Sequence, residues 1–367
     1  MALLLIGGVG LYIAARFGTH ALISRATGSG RTDRSIAGGI ALGHWAPTVA
    51  VSAAALLAGR VDIAVGVAFA VSVAALLLAL GMTVFLVPSE PLPPSRRVWP
   101  FLLPAGLLIV VAGFGAALNL IHAVMLLVLG ACVMGVWLSL RNDPATVADV
   151  LASAEAGETP GDAKADVLAY ESPAPKRSRA IYWQMLQWVL SAGLAVLAAR
   201  AVISGALLAD AASDWLRASL LVVGAVSPLL VLPLLAAGTD LAQRNRSGEA
   251  CSACVALALL NLLGLVPLLV IGWAIRSIAI NGLPRAAYAS GRQGLFQPAT
   301  EWFMRLPSMP LPLSVWRIDA VVLTIVGFAL LPAALGKWRL GRIEAIALIA
   351  GYAAYLGVSA FLTVASR

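Results

Sequence analysis

Charged residues are scarce in this sequence. Asp, Glu, Lys and Arg together make up 11% of its 367 residues, whereas 61% of the residues are hydrophobic. A soluble globular domain carries about 25% charged residues. Because one aqueous core cannot hide so much apolar surface, the composition excludes an ordinary soluble domain and indicates a polytopic membrane protein, with the lipid bilayer as its main partner.

The sequence also lacks the patterns of metal centres and of common hydrolases. Its 3 cysteines, Cys132, Cys251 and Cys254, lie in apolar segments, and no second CxxC or nearby histidine completes a zinc site with the last two. The apolar segments contain no HExxH, no GxSxG and no pair of aspartates. We therefore expect no metal centre, no cofactor and no enzymatic activity.

The net charge of +8 is spread over loops and forms no stripe. A nucleic-acid partner would need basic residues gathered on one face, so we expect none. If the chain starts outside the cell, the larger share of its Lys and Arg residues falls in the inner loops. The positive-inside rule then predicts a cell (inner) membrane protein with both termini outside.

Ten apolar segments long enough to cross a bilayer follow one another along the chain. A spanning helix needs roughly 20 mostly apolar residues. Windows of that length fall at 2–24, 35–58, 62–87, 99–118, 120–140, 182–205, 217–240, 250–274, 318–336 and 343–365. They predict an all-α fold of ten transmembrane helices.

The first five segments resemble the last five. GLYIAAR (10–16) in the first segment corresponds to GLAVLAAR (193–200) in the sixth, and the second and seventh segments both carry proline in their middle. Because five is odd, two such halves must have opposite orientations in the membrane, which makes them inverted repeats.

The predicted repeats set the domain boundaries. We assign 1–140 to the first repeat, 141–181 to a cytoplasmic linker rich in Asp, Glu, Pro and Ala, and 182–367 to the second repeat, which has an outer-side insertion near 275–317.

Proline and glycine interrupt the apolar segments at corresponding places in the two halves. Proline lacks an N–H and clashes with the carbonyl four residues back. Helix breaks are therefore expected at Gly43 and Pro47 in the first half and at Pro228 and Pro233 in the second. The freed backbone groups must face protein or a water-filled cavity. Inverted repeats with paired breaks indicate a secondary transporter; the alternative is that these prolines only kink their helices.

Two stretches carry a resemblance to a known family. ALGHWAPTVAVSAAALLAGRVDIAVG (41–66) resembles the first alpha-repeat of the cation/calcium antiporter superfamily, the sodium/calcium exchangers, which runs ALGTSLPELVTS and, about a dozen residues later, DIAVGNVVGSNIFN. GRIEAIALIAGYAAYLGVSAF (341–361) resembles the last helix of that family, with its Y-x-x-Y pattern. The resemblance implies ten spans, inverted repeats and cation exchange by alternating access.

The sequence departs from the family at the positions that would bind the ion. Thr48 stands in the place of the family's glutamate after the proline, and Val67 and Ser72 stand in the places of two asparagines. In the second repeat Pro233 matches the proline, Leu234 replaces the glutamate, and Asn261 matches an asparagine once about three residues are inserted. Calcium takes six to eight oxygen ligands, normally including carboxylates. We therefore expect calcium binding to be weak or absent.

Six polar residues are candidates for lining the pathway of a small ion or solute: His44, Thr48, Ser52, Ser72, Ser227 and Asn261. An ionisable residue in mid-membrane is a functional candidate by default, and the imidazole of His44 titrates in the range that suits proton coupling. Alternatively, His44 is a neutral ring that bonds to carbonyls freed by Pro47, and the other five make helix-packing hydrogen bonds. Together with His44, Arg16 and Arg200 would make the interior basic.

Three functions are compatible with this sequence. The first is a secondary transporter of the cation-antiporter fold whose calcium site has been lost. The second is a transport-dead relative that acts as a membrane scaffold or regulator. The third is a proton-coupled transporter of an anion or a neutral solute, which a basic interior would favour.

Overall fold

The structure, a computed structural model, describes residues 2–28, 34–86, 94–139, 177–212, 217–243, 247–281, 306–312 and 315–365. Within these residues it contains 10 helices long and apolar enough to cross a membrane. Each contains most of one of the ten windows predicted from the sequence. The chain is therefore an all-α, multi-pass membrane protein, as predicted.

The first five spans lie before the undescribed residues 140–176. They are α1 (Ala2–Gly28), α2 (Arg34–Leu57), α3 (Val61–Ala74, a π-helical turn Ala75–Ala79 and Leu80–Leu86), α4 (a 3₁₀ segment Pro94–Phe101 and Leu102–Gly113) and α5 (Leu120–Ser139).

The last five spans follow in the same manner. They are α6 (Arg177–Ala212), α7 (Ala218–Leu221, a π-helical turn Val222–Val226 and Ser227–Gln243), α8 (Ser247–Leu260, a π-helical turn Asn261–Leu265 and Val266–Asn281), α9 (a π-helical turn Val315–Ala320 and Val321–Ala334) and α10 (Arg342–Ala365).

The linker predicted at 141–181 lies mostly outside the described residues, as does 282–305 of the predicted insertion. The last residues of the predicted linker are helical, because α6 begins at Arg177, shortly after Pro175. Proline ends or starts helices readily, and the basic residues that follow it are good helix formers. Part of the insertion is described: β2 (Met309–Pro310) pairs antiparallel with β1 (Ala117–Leu118), which connects α4 to α5.

The prolines do not break their helices. Pro47 lies inside the continuous helix Arg34–Leu57, and Pro233 lies inside Ser227–Gln243. Pro228 lies two residues after the end of the π-helical turn Val222–Val226, in the first turn of Ser227–Gln243. A π turn already departs from the regular ladder of hydrogen bonds, so it accommodates a residue without an N–H. The breaks expected at Gly43, Pro47, Pro228 and Pro233 are therefore absent as helix ends.

The helices differ greatly in how far the protein covers them. Buried residues make up 94% of the α3 span and 78% of the α8 span, but only 17% of the α5 and α10 spans. Helices α3 and α8 thus form the centre of the bundle, and α5 and α10 face outward at its edge. The two central helices each contain a π-helical turn, and α2 and α7 pack against both of them.

Small residues allow α1 and α6 to pack with their backbones in close contact. A Cβ added at Gly7 would lie 2.8 Å from the Ala198 carbonyl oxygen, and one at Gly205 would lie 2.9 Å from the Leu4 nitrogen. In a membrane, where burial between helices gains little hydrophobic free energy, such close packing is a main source of helix association. This pair joins a helix of the first five spans to a helix of the last five.

We expect Gly7→Ala to weaken the α1–α6 contact, because its methyl group would overlap the Ala198 carbonyl and the Val202 backbone. Overpacking of this kind costs about 1–3 kcal/mol. Thermal unfolding of the purified protein in detergent should show a lower midpoint for the variant.

The matched control is Gly193→Ala on α6, because no heavy atom lies within 4 Å of a Cβ built there. In a helix interior this change is neutral or stabilising by up to about 1 kcal/mol. Equal unfolding midpoints for the two variants would contradict the close α1–α6 packing.

Candidate functional site

Helix α2 places three of the predicted site residues on one face. His44, Thr48 and Ser52 follow one another at a spacing of four, which aligns their side chains along the helix. All three are buried. The stripe therefore points into the bundle rather than toward lipid.

Helix α1 fixes the ring of His44. A Cβ at Gly43 would lie 2.7 Å from the Cα of Thr19, so the glycine lets α1 approach α2 at this point. The Thr19 hydroxyl donates to the Ala15 carbonyl at 2.7 Å and lies 3.2 Å from Nδ1 of His44. Nδ1 also lies 2.7 Å from the Ile40 carbonyl oxygen. Two acceptors beside Nδ1 place the ring proton there.

The surroundings of Nε2, the other ring nitrogen of His44, differ from those of Nδ1. With the proton on Nδ1, Nε2 of a neutral ring is an acceptor, and this buried atom has no hydrogen-bond partner among the described residues. The Pro233 backbone also approaches the ring; because proline has no N–H, the group involved is its carbonyl. His44 thus does bond a backbone carbonyl, as one interpretation of the sequence expected, but the carbonyl freed by Pro47 belongs to Gly43, not to Ile40.

Three of the predicted hydroxyl groups already have partners. Thr48 donates to the His44 carbonyl at 3.1 Å, and Ser72 donates to the Ala68 carbonyl at 2.7 Å, so both are satisfied within their own helices. Ser227 interacts with Tyr352 of α10. Only the Ser227 interaction joins two helices, which is the helix-packing role that was the alternative; Thr48 and Ser72 instead bond back to their own helices.

Two of the predicted residues have polar atoms that find no partner. Asn261, the first residue of the π-helical turn in α8, is 0% exposed, and neither its amide oxygen nor its amide nitrogen makes a hydrogen bond to any described residue. The hydroxyl of Ser52 is likewise buried and unpartnered. A buried polar group without a partner destabilises a protein by about 1–3 kcal/mol, so such groups require an explanation.

An indole lies beside the same turn of α8. A Cβ at Gly264 would lie 3.3 Å from the six-membered ring of Trp45, and the indole Nε1 of Trp45 is buried without a partner. Gly264 also helps to line an apolar cavity of about 510 Å³, together with Gly38, Leu127 and Leu260. This cavity contains none of the predicted site residues.

Acidic groups lie away from the stripe on α2. Asp62 and Asp210 both pair with Arg60, at 2.9 and 3.4 Å, and the Asp62 hydrogen bond raises the pKa of the Arg60 guanidinium further above its usual range. Glu249 precedes Asn261 by about 18 Å along the α8 axis. Among the described residues, no group of three or more His, Cys, Asp or Glu side chains is suited to hold a metal ion.

The basic interior expected from the sequence is not formed. Arg16 and Arg200 both have exposed side chains on the outer surface of the bundle, and Arg16 donates to the Tyr12 hydroxyl at 3.2 Å. Long basic side chains reach the polar interface by extending along their helix, which explains how apolar segments tolerate them. His44 is therefore without an arginine partner at the centre of the described bundle.

Sequence reasoning missed the part that α1 and α10 play. Thr19 completes the surroundings of His44, and Tyr352 and Tyr355 bring phenol groups into the bundle, where each is at most 5% exposed. The signal for the tyrosines was the Y-x-x-Y pattern in the last helix. The signal for Thr19 was a hydroxyl residue inside an apolar run, which is too common to single out.

Comparison with known proteins identifies the fold. No protein-family model matches the chain, and no curated protein matches it by sequence. Among solved structures, the H⁺/Ca²⁺ exchanger CAX is similar, with a TM-score of 0.69 and 14% identity, covering 99% of this chain and 85% of CAX. The sodium-calcium exchanger NCX_Mj has a TM-score of 0.58 and 16% identity, with 97% of both chains covered. The chain therefore has the fold of the cation/calcium exchangers.

We expect Asn261→Leu to stabilise the protein, because leucine has a similar shape and carries no polar atoms that need partners. The free energy of unfolding should increase by about 1–3 kcal/mol, which is the amount by which a buried unsatisfied polar group destabilises a protein. Thermal unfolding in detergent, with the folded fraction followed by circular dichroism, measures it.

Ser191→Ala is the contrasting variant. Ser191 is buried and donates to the Ala14 carbonyl at 2.7 Å, so its loss should destabilise the protein by about 0.5–1.5 kcal/mol. If Asn261→Leu lowered the unfolding midpoint as much as Ser191→Ala, the Asn261 amide would have to be a structural group.

Proposed function

We propose that the protein is a secondary transporter that moves a small, uncharged, hydrogen-bonding solute by alternating access, and that its centre no longer binds calcium. The observation that carries this proposal is the buried Asn261 amide, which has no hydrogen-bond partner within the part of the chain that the structure describes. The predicted repeats, 1–140 and 182–367, are the two parts that we propose move relative to each other.

The similar structures supply the transport class. CAX is described as an H⁺/Ca²⁺ exchanger, and NCX_Mj as a sodium-calcium exchanger with ion exchange and binding-site occlusion. The six site residues of this chain are at most 1% exposed, which agrees with a conformation closed to both sides. A closed state is one of those through which an alternating-access transporter passes.

The chemistry of the centre argues against calcium. Thr48 and Leu234 are both buried where the resembling family has glutamates. A divalent cation in a low-dielectric site needs negative charge to offset its lost hydration. Hydroxyl groups, an amide and backbone carbonyls provide oxygen atoms without that charge.

The same groups suit a neutral solute. The Asn261 amide both donates and accepts, Ser52 does likewise, and Nε2 of the neutral His44 ring accepts. A hydroxyl or amide group of a solute supplies the kind of partner that each of these atoms needs. The anion alternative loses its support, because Arg16 and Arg200 lie on the exposed surface.

The unpartnered groups also argue against a transport-dead scaffold. A scaffold has no need of polar atoms that destabilise its core, whereas a binding site keeps them at the expense of stability. The orientation with both termini outside is part of the proposal. Its support is the larger share of Lys and Arg in the loops predicted inside. The Arg60–Asp210 pair and the β1–β2 pair agree only with those four loops lying on one common face.

We expect calcium to leave the thermal stability of the protein unchanged. A ligand stabilises the folded state by about 2.7 kcal/mol at one hundred times its Kd, so millimolar calcium would reveal even a weak site as a higher unfolding midpoint. Uptake of radiolabelled calcium into vesicles under a sodium gradient should likewise stay at background. Robust uptake that Thr48→Ala abolishes would contradict the proposal.

The double variant Thr48→Glu with Leu234→Glu should restore a calcium response. Without calcium, two buried carboxylates repel each other and destabilise the fold, and calcium should reverse that loss. The matched control, Thr48→Gln with Leu234→Gln, has the same shape without charge and should not respond. A response in the wild type equal to that of the glutamate variant would show that the native site binds calcium.

Chemical labelling of a site cysteine distinguishes a transporter from a scaffold without a known substrate. In a background where Cys132, Cys251 and Cys254 are replaced by alanine, Ser52→Cys is nearly isosteric and lies at a buried position. Alternating access predicts slow labelling by a membrane-impermeant maleimide, as the site opens to water from time to time.

Gly193→Cys is the control for this labelling. Gly193 is exposed on α6 and faces lipid, where the thiol stays protonated and unreactive. Labelling of Ser52→Cys but not of Gly193→Cys supports the transporter. Failure to label Ser52→Cys from either side over hours would favour the scaffold.

A further inference from the structure

Asp319 is a buried carboxylic acid at one end of a membrane span. It is 5% exposed and belongs to the π-helical turn Val315–Ala320, with which α9 begins. That turn packs against α3, α4 and α10. An ionised carboxylate in this position destabilises the folded protein. Such a residue is therefore expected to have a partner or a function.

A series of hydroxyl groups leads from Asp319 toward the centre of the bundle. The phenol of Tyr355 on α10 interacts with the Asp319 carboxylate. One turn deeper, the ring of Tyr352 lies with its centroid 6.0 Å from that of Tyr355. Tyr352 in turn interacts with Ser227 of α7, one of the residues predicted to line the pathway.

The tyrosine hydroxyls are not locked into this arrangement. Both are buried, and neither makes a hydrogen bond of good geometry in this conformation. Small rotations of the two rings can therefore make or break the links between the carboxylate and Ser227. Buried phenols of this kind usually have a firm partner when their role is structural.

No fixed charge among the described residues neutralises Asp319. The ionisable groups on the elements packed around it are Arg317, Asp62, Arg96, Arg97, Arg342, Glu344 and the two tyrosines. Arg317 is exposed, Asp62 pairs with Arg60, and Glu344 accepts from the Gly341 N–H at 2.8 Å. Arg96 lies beside Gly336, at the opposite end of α9. A proton is the remaining way to remove the charge.

We infer that Asp319 is a proton-binding site, and that Tyr355, Tyr352 and Ser227 link its protonation to the central helices. A carboxylate oxygen takes a proton from hydronium at the membrane face that carries the Arg60–Asp210 pair and forms a neutral carboxyl group; the reverse step returns the proton to water. No electron transfer is involved. Proton binding goes beyond the proposed function, and its coupling to solute movement rests on that function.

Infrared difference spectroscopy of the protein in lipid tests proton binding without a transported substrate. A pH titration should show the carbonyl band of a protonated carboxyl group that disappears as the pH rises. Asp319→Asn should remove this band. Glu344→Gln changes a carboxylate in the first turn of α10 and should leave the band in place. A band that persists at full size in Asp319→Asn overturns the proposal.

Tyr355→Phe keeps the proposal testable if Asp319→Asn fails to fold. It removes one hydroxyl and retains the ring, so the fold should survive. Because the Tyr355 phenol favours the ionised form of the Asp319 carboxyl group, its removal should raise the titration midpoint. An unchanged midpoint would contradict the pairing of Tyr355 with Asp319.

The coupling is tested by the labelling rate of Ser52→Cys measured across pH, with and without Asp319→Asn. The ratio of the two rates cancels the pH dependence of the maleimide reaction. A ratio that changes several-fold across the infrared titration supports coupling, and a constant ratio overturns it. If Ser52→Cys never labels, the proposed transport function fails, while the infrared result on proton binding still stands.

Discussion

In the hydrocarbon core of a bilayer, no water replaces a missing hydrogen bond, and the whole structure depends on this constraint. Most polar groups inside the spans obey it locally. Thr48, Ser72 and Thr83 each donate to the carbonyl four residues earlier, and Ser191 donates to the neighbouring helix. The exceptions are therefore informative. Apart from the indole of Trp99 on α4, they lie on α2, α8 and α10, where buried polar atoms find no hydrogen-bond partner among the described residues.

Most of the fold could be predicted from the sequence, because a membrane-spanning helix is recognisable from its length and composition alone. The ten spans and their order followed from apolar windows. The α2 stripe was equally visible, since a spacing of four puts His44, Thr48 and Ser52 on one face. The inverted repeat was inferred from weak internal similarity and from parity, and it remains a prediction. The resemblance to the exchangers rested on residues 41–66 and 341–361, and it proved correct for the fold.

Other features depend on packing and were out of reach. Pro47 was expected to break α2, but a helix loses only one hydrogen bond at a proline, and the surrounding bundle holds it continuous. Arg16 and Arg200 were placed in the interior because sequence position does not show which face of a helix meets lipid. Asp319 lies so close to a span boundary that its burial follows only from the helices packed around the end of α9.

The absence of ionised side chains among the described site residues on α2, α3, α7 and α8 also has an electrical consequence. A membrane potential acts on charge, by about 2.3 kcal/mol for each unit moved across 100 mV. A carrier whose centre holds only neutral groups moves no charge when it reorients empty, so voltage neither drives nor opposes that step. If the protein works as proposed, the charge that moves is the proton, over the short distance between Asp319 and the nearer membrane face.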